Sequence, residues 1–585
     1  MFMELKDWSA LRKLTSLIFT LTLLIMTENI SEGDLMQWQN SSTGNFVESL
    51  KRINGSFEKY HEFGHVDIDT RRRILSIFSE RFQESSVIRQ QILHFLRILA
   101  RDRQNLDHLL SSSLVQDVLN VALLAEQSFE FDWEAFIQAE MCLINILFNS
   151  NLARNEFNDI ASNLLLNRIR ILSETPRISF MQREIPITVE DVAISTESKI
   201  LEFPVKNLNN EQIDLVTSYD LRIAFVASAQ SKDLQLRWLK NGCEVFLKVL
   251  ERSLCFPERL RRNLQWKNFV EHTNWALKVL FNIFCYSWDD SVQSNAKQCM
   301  VLCSRIITIK NIDPSLEQSA VDVIAVLPLS FELLTPKLQH IEQKDTNIIH
   351  DGRDMTFADA VLHALERRLE AESSERNELL GTFLTVLIRL SSQVKEARRY
   401  LRLLVIPPLH ATDVERRPDD GAELRNRMIR LMMSISNTQD LAAEFIFILC
   451  KKSVNRFVKY CGFGHAAGLL ANRGILNALN TSKHQSDSEA SETEDYKAVE
   501  TQVNPVTGYI EPAGENPFTG MTEEQKEYEV HRLMNDINKL MNQGLITPGR
   551  VGKDGQLEPV KHVLELVKDD DAEPDKSDSE DGVGS

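Results

Sequence analysis

Apolar residues recur at every third or fourth position along most of this chain, from about residue 45 to residue 480, where Gly and Pro are scarce. That spacing gives each of many successive helices one apolar face, and no stretch of any length alternates with the period of two that a strand needs. Four runs share a form, with apolar positions three or four apart and Arg or Asn near the end. They are Ile92-Leu93-His94-Phe95-Leu96-Arg97-Ile98-Leu99, Cys142-Leu143-Ile144-Asn145-Ile146-Leu147-Phe148-Asn149, Leu277-Lys278-Val279-Leu280-Phe281-Asn282 and Leu384-Thr385-Val386-Leu387-Ile388-Arg389-Leu390. The first two lie about fifty residues apart, near the armadillo/HEAT period with a loop insertion. Such a unit buries its apolar face only against its neighbours. The pattern therefore predicts an all-α, armadillo/HEAT-like right-handed α-solenoid over residues 26–480, followed by a largely extended C-terminal arm. A single globular bundle is the alternative, but a helical span of roughly 400 residues exceeds what one core holds.

The pattern changes after Ala471-Asn472-Arg473-Gly474. SKHQSDSEASETEDYK makes residues 481–503 an acidic linker. One turn motif is then written twice, as Asn504-Pro505-Val506-Thr507-Gly508 and Asn516-Pro517-Phe518-Thr519-Gly520. In each, Pro fixes φ and Gly supplies a positive φ, which predicts an extended segment held between two turns. Thr522 and Gln525 form a capping box for a helix whose stripe is Val530, Leu533, Ile537, Leu540 and Met541, with Gly544 to stop it. A lone amphipathic helix must dock its stripe, so Leu533 and Ile537 are candidate partner contacts in an arm over residues 504–545. Residues 546–585 read as an acidic disordered tail.

A net charge of −18 argues against nucleic acid as the main partner, and 43% hydrophobic content excludes wholesale disorder. The eight cysteines are scattered through apolar runs, as reduced core thiols of a cytosolic protein would be. Cys299 and Cys303 stand four apart, with no second pair or His cluster to complete a zinc site. The apolar run Leu14 to Met26 behind Arg12-Lys13 resembles the core of a signal peptide, but it is too short to span a bilayer and no small-x-small cleavage site follows. Residues 1–25 are therefore read as an extension from an alternative or mistaken start. The sequons at Asn29 and Asn40 then carry no weight.

His61-Glu62-Phe63-Gly64-His65 matches the zinc-peptidase pattern, which needs both imidazoles on one face of a stable helix. Gly64 weakens that helix and Val66-Asp67-Ile68-Asp69 breaks it, so a loop is expected and no metal. Gly544 to Arg550 lacks the Lys-Ser/Thr of a phosphate loop, and no nucleophile elbow or kinase signature occurs. The chain reads as a binder without cofactor, metal or covalent chemistry. Arg97, Arg101 and Arg389 could present guanidinium forks to a carboxylate, and Asn149 and Asn282 could bond a peptide backbone. As a set they favour an acidic peptide or a chain terminus, while each singly could cap a neighbouring carbonyl. Ser486 and Ser491 each have an acid three residues on, which a casein kinase 2-like kinase selects. A phosphate adds about −1.5 to −2 of charge.

FIFILCKKSVNRFVKYCGFGHAAGLLANRGIL, SDSEASETEDYK, NPVTG and NPFTGMTEEQKE together resemble the synembryn family, and so do ILHFLRILARDR, INILFNSN, ALKVLFNIF and RRYLRLLVIPPL. These are cytosolic guanine nucleotide exchange factors and folding chaperones of heterotrimeric G-protein α subunits. The resemblance covers nearly everything after Met26, and its C-terminal block is the specific part. It implies a groove in which Arg97, Arg101, Asn149, Asn282 and Arg389 hold the C-terminal helix of Gα with its terminal carboxylate. Ser486 and Ser491 occupy the places of activating phosphosites. The segment from Asn504 through the capped helix would reach around the Gα Ras-like domain. Exchange then needs only tighter binding of nucleotide-free Gα than of its GDP form. A cytoplasmic location with recruitment to the cell cortex follows from the same likeness. The alternative is an armadillo-type peptide-binding scaffold without exchange activity, although no ladder of Trp-x-x-x-Asn pairs is present.

Overall fold

A computed structural model describes residues 30–64, 66–123, 131–174, 208–254, 264–285, 292–338, 347–370, 379–434, 436–475, 493–512, 520–542, 549–551 and 557–559. The chain divides into two compact units, Met1–Leu329 and Ser330–Ser585.

The first unit contains α1 (Glu32–Asn40), α2 (Thr43–Phe57), α3 (Ile68–Arg81), α4 (Ser86–Leu99), α5 (Leu106–Leu109), α6 (Ser112–Leu123), α7 (Trp133–Asn149) and α8 (Asn151–Glu156). It continues with α9 (Asp159–Glu174), α10 (Asn210–Gln230), α11 (Lys232–Asn241), α12 (Cys243–Leu254), α13 (Leu264–Phe284), α14 (Gln293–Ile307) and α15 (Pro314–Val326). Short polar side chains start many of these helices by satisfying amide groups that have no partner in the first turn. Asp132 accepts from the Glu134 and Ala135 amides, and Ser85, Ser150 and Ser231 cap α4, α8 and α11 in the same way. Helices α2, α4, α7, α10, α13 and α15 form one row in which each packs on the next, and α6, α9, α12 and α14 form a second row behind it. This is the neighbour-on-neighbour packing of an α-solenoid, and its core is the seam between the rows, where Phe136, Leu143, Leu221, Phe246, Leu277 and Ile324 are buried.

One buried ionic cluster crosses that seam. Arg168 of α9 donates from Nε to both carboxylate oxygens of Asp220 on α10, at 2.9 and 3.1 Å, and from Nη1 to the Ala122 carbonyl of α6 at 2.7 Å. Its Nη2 also reaches Glu140 of α7, so one guanidinium ties four helices together. Burial pushes the Glu140 carboxyl well above the usual carboxylate range, and Asp220 is raised for the same reason.

In the second unit a 3-10 turn, Phe331–Leu334, and a small hairpin of β1 (Ile349–His350) and β2 (Arg353–Asp354) precede the helices. These are α16 (Thr356–Glu370), α17 (Leu380–Gln393), α18 (Lys395–Val405), α19 (Leu424–Met432), α20 (Gln439–Leu449), α21 (Val454–Cys461) and α22 (Phe463–Asn472). Stacking again runs between neighbours, with α17 against α16, α18 and α20. After α22, Gly474 has φ +66° and its amide bonds the Ala471 carbonyl at 3.0 Å. Beyond lie α23 (Glu494–Val499), α24 (Glu523–Asn542) and a hairpin of β3 (Gly549–Val551) and β4 (Leu557–Pro559). The fold is thus all-α and armadillo/HEAT-like, with the two three-residue-or-shorter hairpins as an addition that the alternation test is too coarse to find.

The first NPxTG turn has a seat on the chain itself. Asn504 and Tyr509 bridge across it, the Gly508 amide bonds the Asn504 carbonyl at 2.7 Å, and Gly508 has φ +77°. The carbonyls of Pro505 and Val506 accept from the amides of Phe463 and Gly464, both at 2.9 Å, so the turn caps α22. Upstream, the buried Tyr496 lies under the Lys459 ammonium, which also pairs with Glu500 at 3.2 Å. Asp495 accepts from the Ala411 amide at 3.0 Å and from His410 at 3.2 Å, which holds its carboxyl down at about 2. Residues 493–510 are therefore a clasp bound to the body, so the first turn of the segment read as an arm from Asn504 is seated on α22. Gly462 and Gly508 cross so closely that a Cβ on Gly508 would lie 2.9 Å from the Gly462 backbone. Gly508→Val combines that overlap with a positive φ and should release the clasp, at a cost of about 2–4 kcal/mol. The expected signature is limited proteolysis between residues 493 and 512 with the remaining helices intact; an unchanged cleavage pattern would refute it.

The HEFGH stretch is a loop as far as it is described, with Phe63 buried and its amide bonded to Asp102 at 2.9 Å; His65 lies outside the described residues. Among the described residues, Cys142, Cys243, Cys299, Cys303, Cys450 and Cys461 are buried free thiols, while Cys285 is exposed at the end of α13. Burial pushes Cys243 up to about 12, and Cys299 and Cys303 lie 4.0 Å apart, so these thiols are core packing.

A candidate peptide-binding face on the first helix row

Asparagine holds the first row together. Asn54 of α2 donates to the Gln91 carbonyl of α4 at 3.0 Å, and Asn145 and Asn149 of α7 donate to the Arg97 and Ala100 carbonyls at 2.9 and 2.8 Å. Asn282 of α13 donates to the Phe225 carbonyl and Ser228 hydroxyl of α10 at 3.3 and 3.0 Å. The side-chain amides of Asn149 and Asn282, candidates for a partner's backbone, thus donate to the neighbouring row helix. This fixes the spacing of the row and the carbonyl ends of α4 and α10.

Arg97 and Arg101 sit one turn apart at the end of α4 and converge on one carboxylate. Each donates from Nη2 to a different oxygen of Glu58, both at 2.6 Å, and His94 stands 2.8 Å from the oxygen that Arg97 uses. Arg101 also bonds the Glu58 and Tyr60 carbonyls at 2.6 and 3.3 Å. Burial works to raise the Glu58 carboxyl, but bonds from His94 and Arg101 and the charges of Arg97 and Arg101 outweigh it and hold it low.

Next along the row is a cation–aromatic cluster. Arg222 of α10 lies 5.5 Å from the centre of the Trp275 ring of α13 and 5.9 Å from Tyr219. Lys278, one turn beyond Trp275, stands 4.4 Å over the same indole, and Phe225 packs on it at 5.4 Å. All five side chains are half-buried, and Tyr219 is pushed up by burial against the opposing charges of Arg222 and Arg97. Guanidinium and ammonium groups held on aromatic faces keep their charge available to a ligand while giving it apolar walls. The sequence reading missed these residues. The signal was present in Tyr219, Arg222 and Phe225 at helical spacing and in the Trp275, Lys278 and Asn282 stripe.

Arg389 lies in the second unit, 4.2 Å over the Phe331 ring, where burial lowers its pKa. Leu533 and Ile537 lie on α24, whose predicted capping box is formed, with the Thr522 amide 3.0 Å from Gln525 and the Gln525 amide 3.3 Å from Thr522. Of its stripe, Leu533 and Val530 are exposed, at 61% and 53%, while Ile537 is half-buried. Ser486 and Ser491, residues 1–25 and most of the second NPxTG turn lie outside the described residues. Among the described residues no group of His, Cys, Asp and Glu is suited to a metal, and no helix is long and apolar enough to cross a membrane.

The chain is thus an α-solenoid protein with cationic and aromatic side chains on its first helix row. A family model described as guanine nucleotide exchange factor synembryn matches residues 92–556, and the chain belongs to that family. It is 32% identical over 576 residues to "Chaperone ric-8" of Caenorhabditis briggsae, covering 92% of this chain and 97% of that protein. It is 33% identical over 535 residues to "Chaperone ric-8" of Caenorhabditis elegans, covering 85% and 90% of the two chains. "Chaperone Ric-8A" of Xenopus tropicalis is 32% identical over 507 residues, covering 81% and 85%.

Proposed function

We propose that this protein is a non-receptor guanine nucleotide exchange factor and folding chaperone for heterotrimeric G-protein α subunits, working without covalent chemistry. The observation that carries the binding site is the pair of cationic clusters on the first row, Arg97 with Arg101 on α4 and Arg222 with Lys278 around Trp275. It suits the C-terminal helix of Gα: aromatic walls take the apolar side of the helix, and the guanidinium groups take its acidic residues and terminal carboxylate. Asn149 and Asn282 serve this site by holding the row in register. Drawing that helix away from the Gα nucleotide pocket favours the empty state, and rebound GTP favours release.

The stripe of Leu533 and Ile537 supplies the second contact, an arm that supports the Gα surface left uncovered. Casein kinase 2-like modification of Ser486 and Ser491 adds charge to the linker that precedes the clasp. The protein works in the cytoplasm and at the cell cortex, where Gα subunits reside. Leu533→Asp with Ile537→Asp tests the arm against the simpler scaffold reading. Gα exchange should fall about tenfold or more while affinity for an isolated Gα C-terminal peptide stays unchanged. Unchanged exchange would leave a peptide-binding scaffold.

A further inference from the structure

The carboxylate between Arg97 and Arg101 belongs to a residue poorly placed to be permanent. Glu58 follows the last turn of α2, and its side chain is 43% exposed, against 12% for Arg97 and 19% for Arg101. Two guanidinium groups share this one carboxylate, so the cluster keeps an excess positive charge even with His94 neutral. Arg97 also has a buried Nε with no hydrogen-bond partner. The arginines are fixed from behind: Asn145 and Asn149 bond the Arg97 and Ala100 carbonyls, and Arg101 bonds the Glu58 and Tyr60 carbonyls. Those restraints do not involve the Glu58 side chain. A guanidinium pair on a fixed backbone, faced by a solvent-side carboxylate on a helix end, is a site whose internal anion can swing out and be replaced by another.

We propose that Glu58 is a built-in stand-in for a ligand carboxylate, which a partner's C-terminal carboxylate displaces from Arg97 and Arg101 on binding. This rests on the peptide-binding reading of the first row. The displaced Glu58 returns to water, where its desolvation ends, so the exchange of one carboxylate for another costs little. Its presence sets a threshold: a segment that offers apolar contacts alone leaves Glu58 in place and gains nothing from the arginines.

The test uses the full chain and two versions of a synthetic Gα C-terminal helix peptide, one with a free terminal carboxylate and one amidated. Glu58→Gln removes the competing charge and should bind the free-carboxylate peptide about three- to tenfold more tightly than the wild-type chain does. The amidated peptide should bind both chains alike, and Glu58→Asp should stay near wild type. Equal or weaker binding of the free-carboxylate peptide by Glu58→Gln, with wild-type binding intact, would overturn the stand-in role and leave the peptide site standing. The same gain for both peptides would also overturn it. No binding by either chain would remove the peptide site and this role together.

Discussion

Arg168→Met should destabilise the first unit by about 3–5 kcal/mol, the largest stability effect expected of any single substitution here. Among the described residues the guanidinium is the cation that pairs with both Asp220 and Glu140, and it also satisfies the Ala122 carbonyl. Removing it leaves the Asp220 and Glu140 carboxyls and the Ala122 carbonyl buried without their cation, a penalty much greater than the loss of one packed side chain. Glu140→Gln should behave differently. The Glu140 Oε2 atom has no hydrogen-bond partner and burial favours the neutral acid, so the neutral Gln should be tolerated much better than the loss of Arg168. A carboxyl with its folded pKa raised above the unfolded value of about 4.5 stabilises fully below that value. That contribution is lost as pH rises through the folded pKa. Wild type should therefore lose thermal stability with rising pH, and Glu140→Gln should flatten the slope. Thermal melts at several pH values check both variants; a mild Arg168→Met or an unchanged slope in Glu140→Gln contradicts the account.

The second large effect is functional. Arg222→Glu with Lys278→Glu reverses two charges on the cation–aromatic face, and affinity for the Gα C-terminal peptide should fall about a hundredfold. The two side chains point from different helices at the same Trp275 ring, so reversal places both negative charges where an acidic segment would lie. Neither joins the row-to-row asparagine bonds, and the helices should keep their packing. Titration calorimetry, with circular dichroism to confirm the fold, reads the loss. Full affinity in the double variant would move the binding site elsewhere.

Much of this was legible in the sequence because it is local. Apolar spacing marks the helices, Thr522 and Gln525 mark the start of α24, and Gly474 marks the end of α22. The positive φ of Gly508 and Gly520 also follows from the turn motif. What escaped depends on residues far apart in the chain. Glu58 meets Arg97 and Arg101 only because α2 packs on α4, and Arg222 meets Trp275 only because α10 packs on α13. The NPVTG turn reads as a turn, but its use as a clasp depends on Gly462, which no local pattern links to Gly508. Buried charge was the hardest to foresee: Glu140 sits in an apolar run that gives no sign of Arg168 behind it.

The most direct test is the uptake of a GTP analogue by a purified Gα subunit, with and without the full chain treated with casein kinase 2. The expected result is acceleration that disappears when the Gα C-terminal tip is removed or when Arg222→Glu with Lys278→Glu is used. Acceleration that survives both changes would contradict the claim that this face performs the exchange.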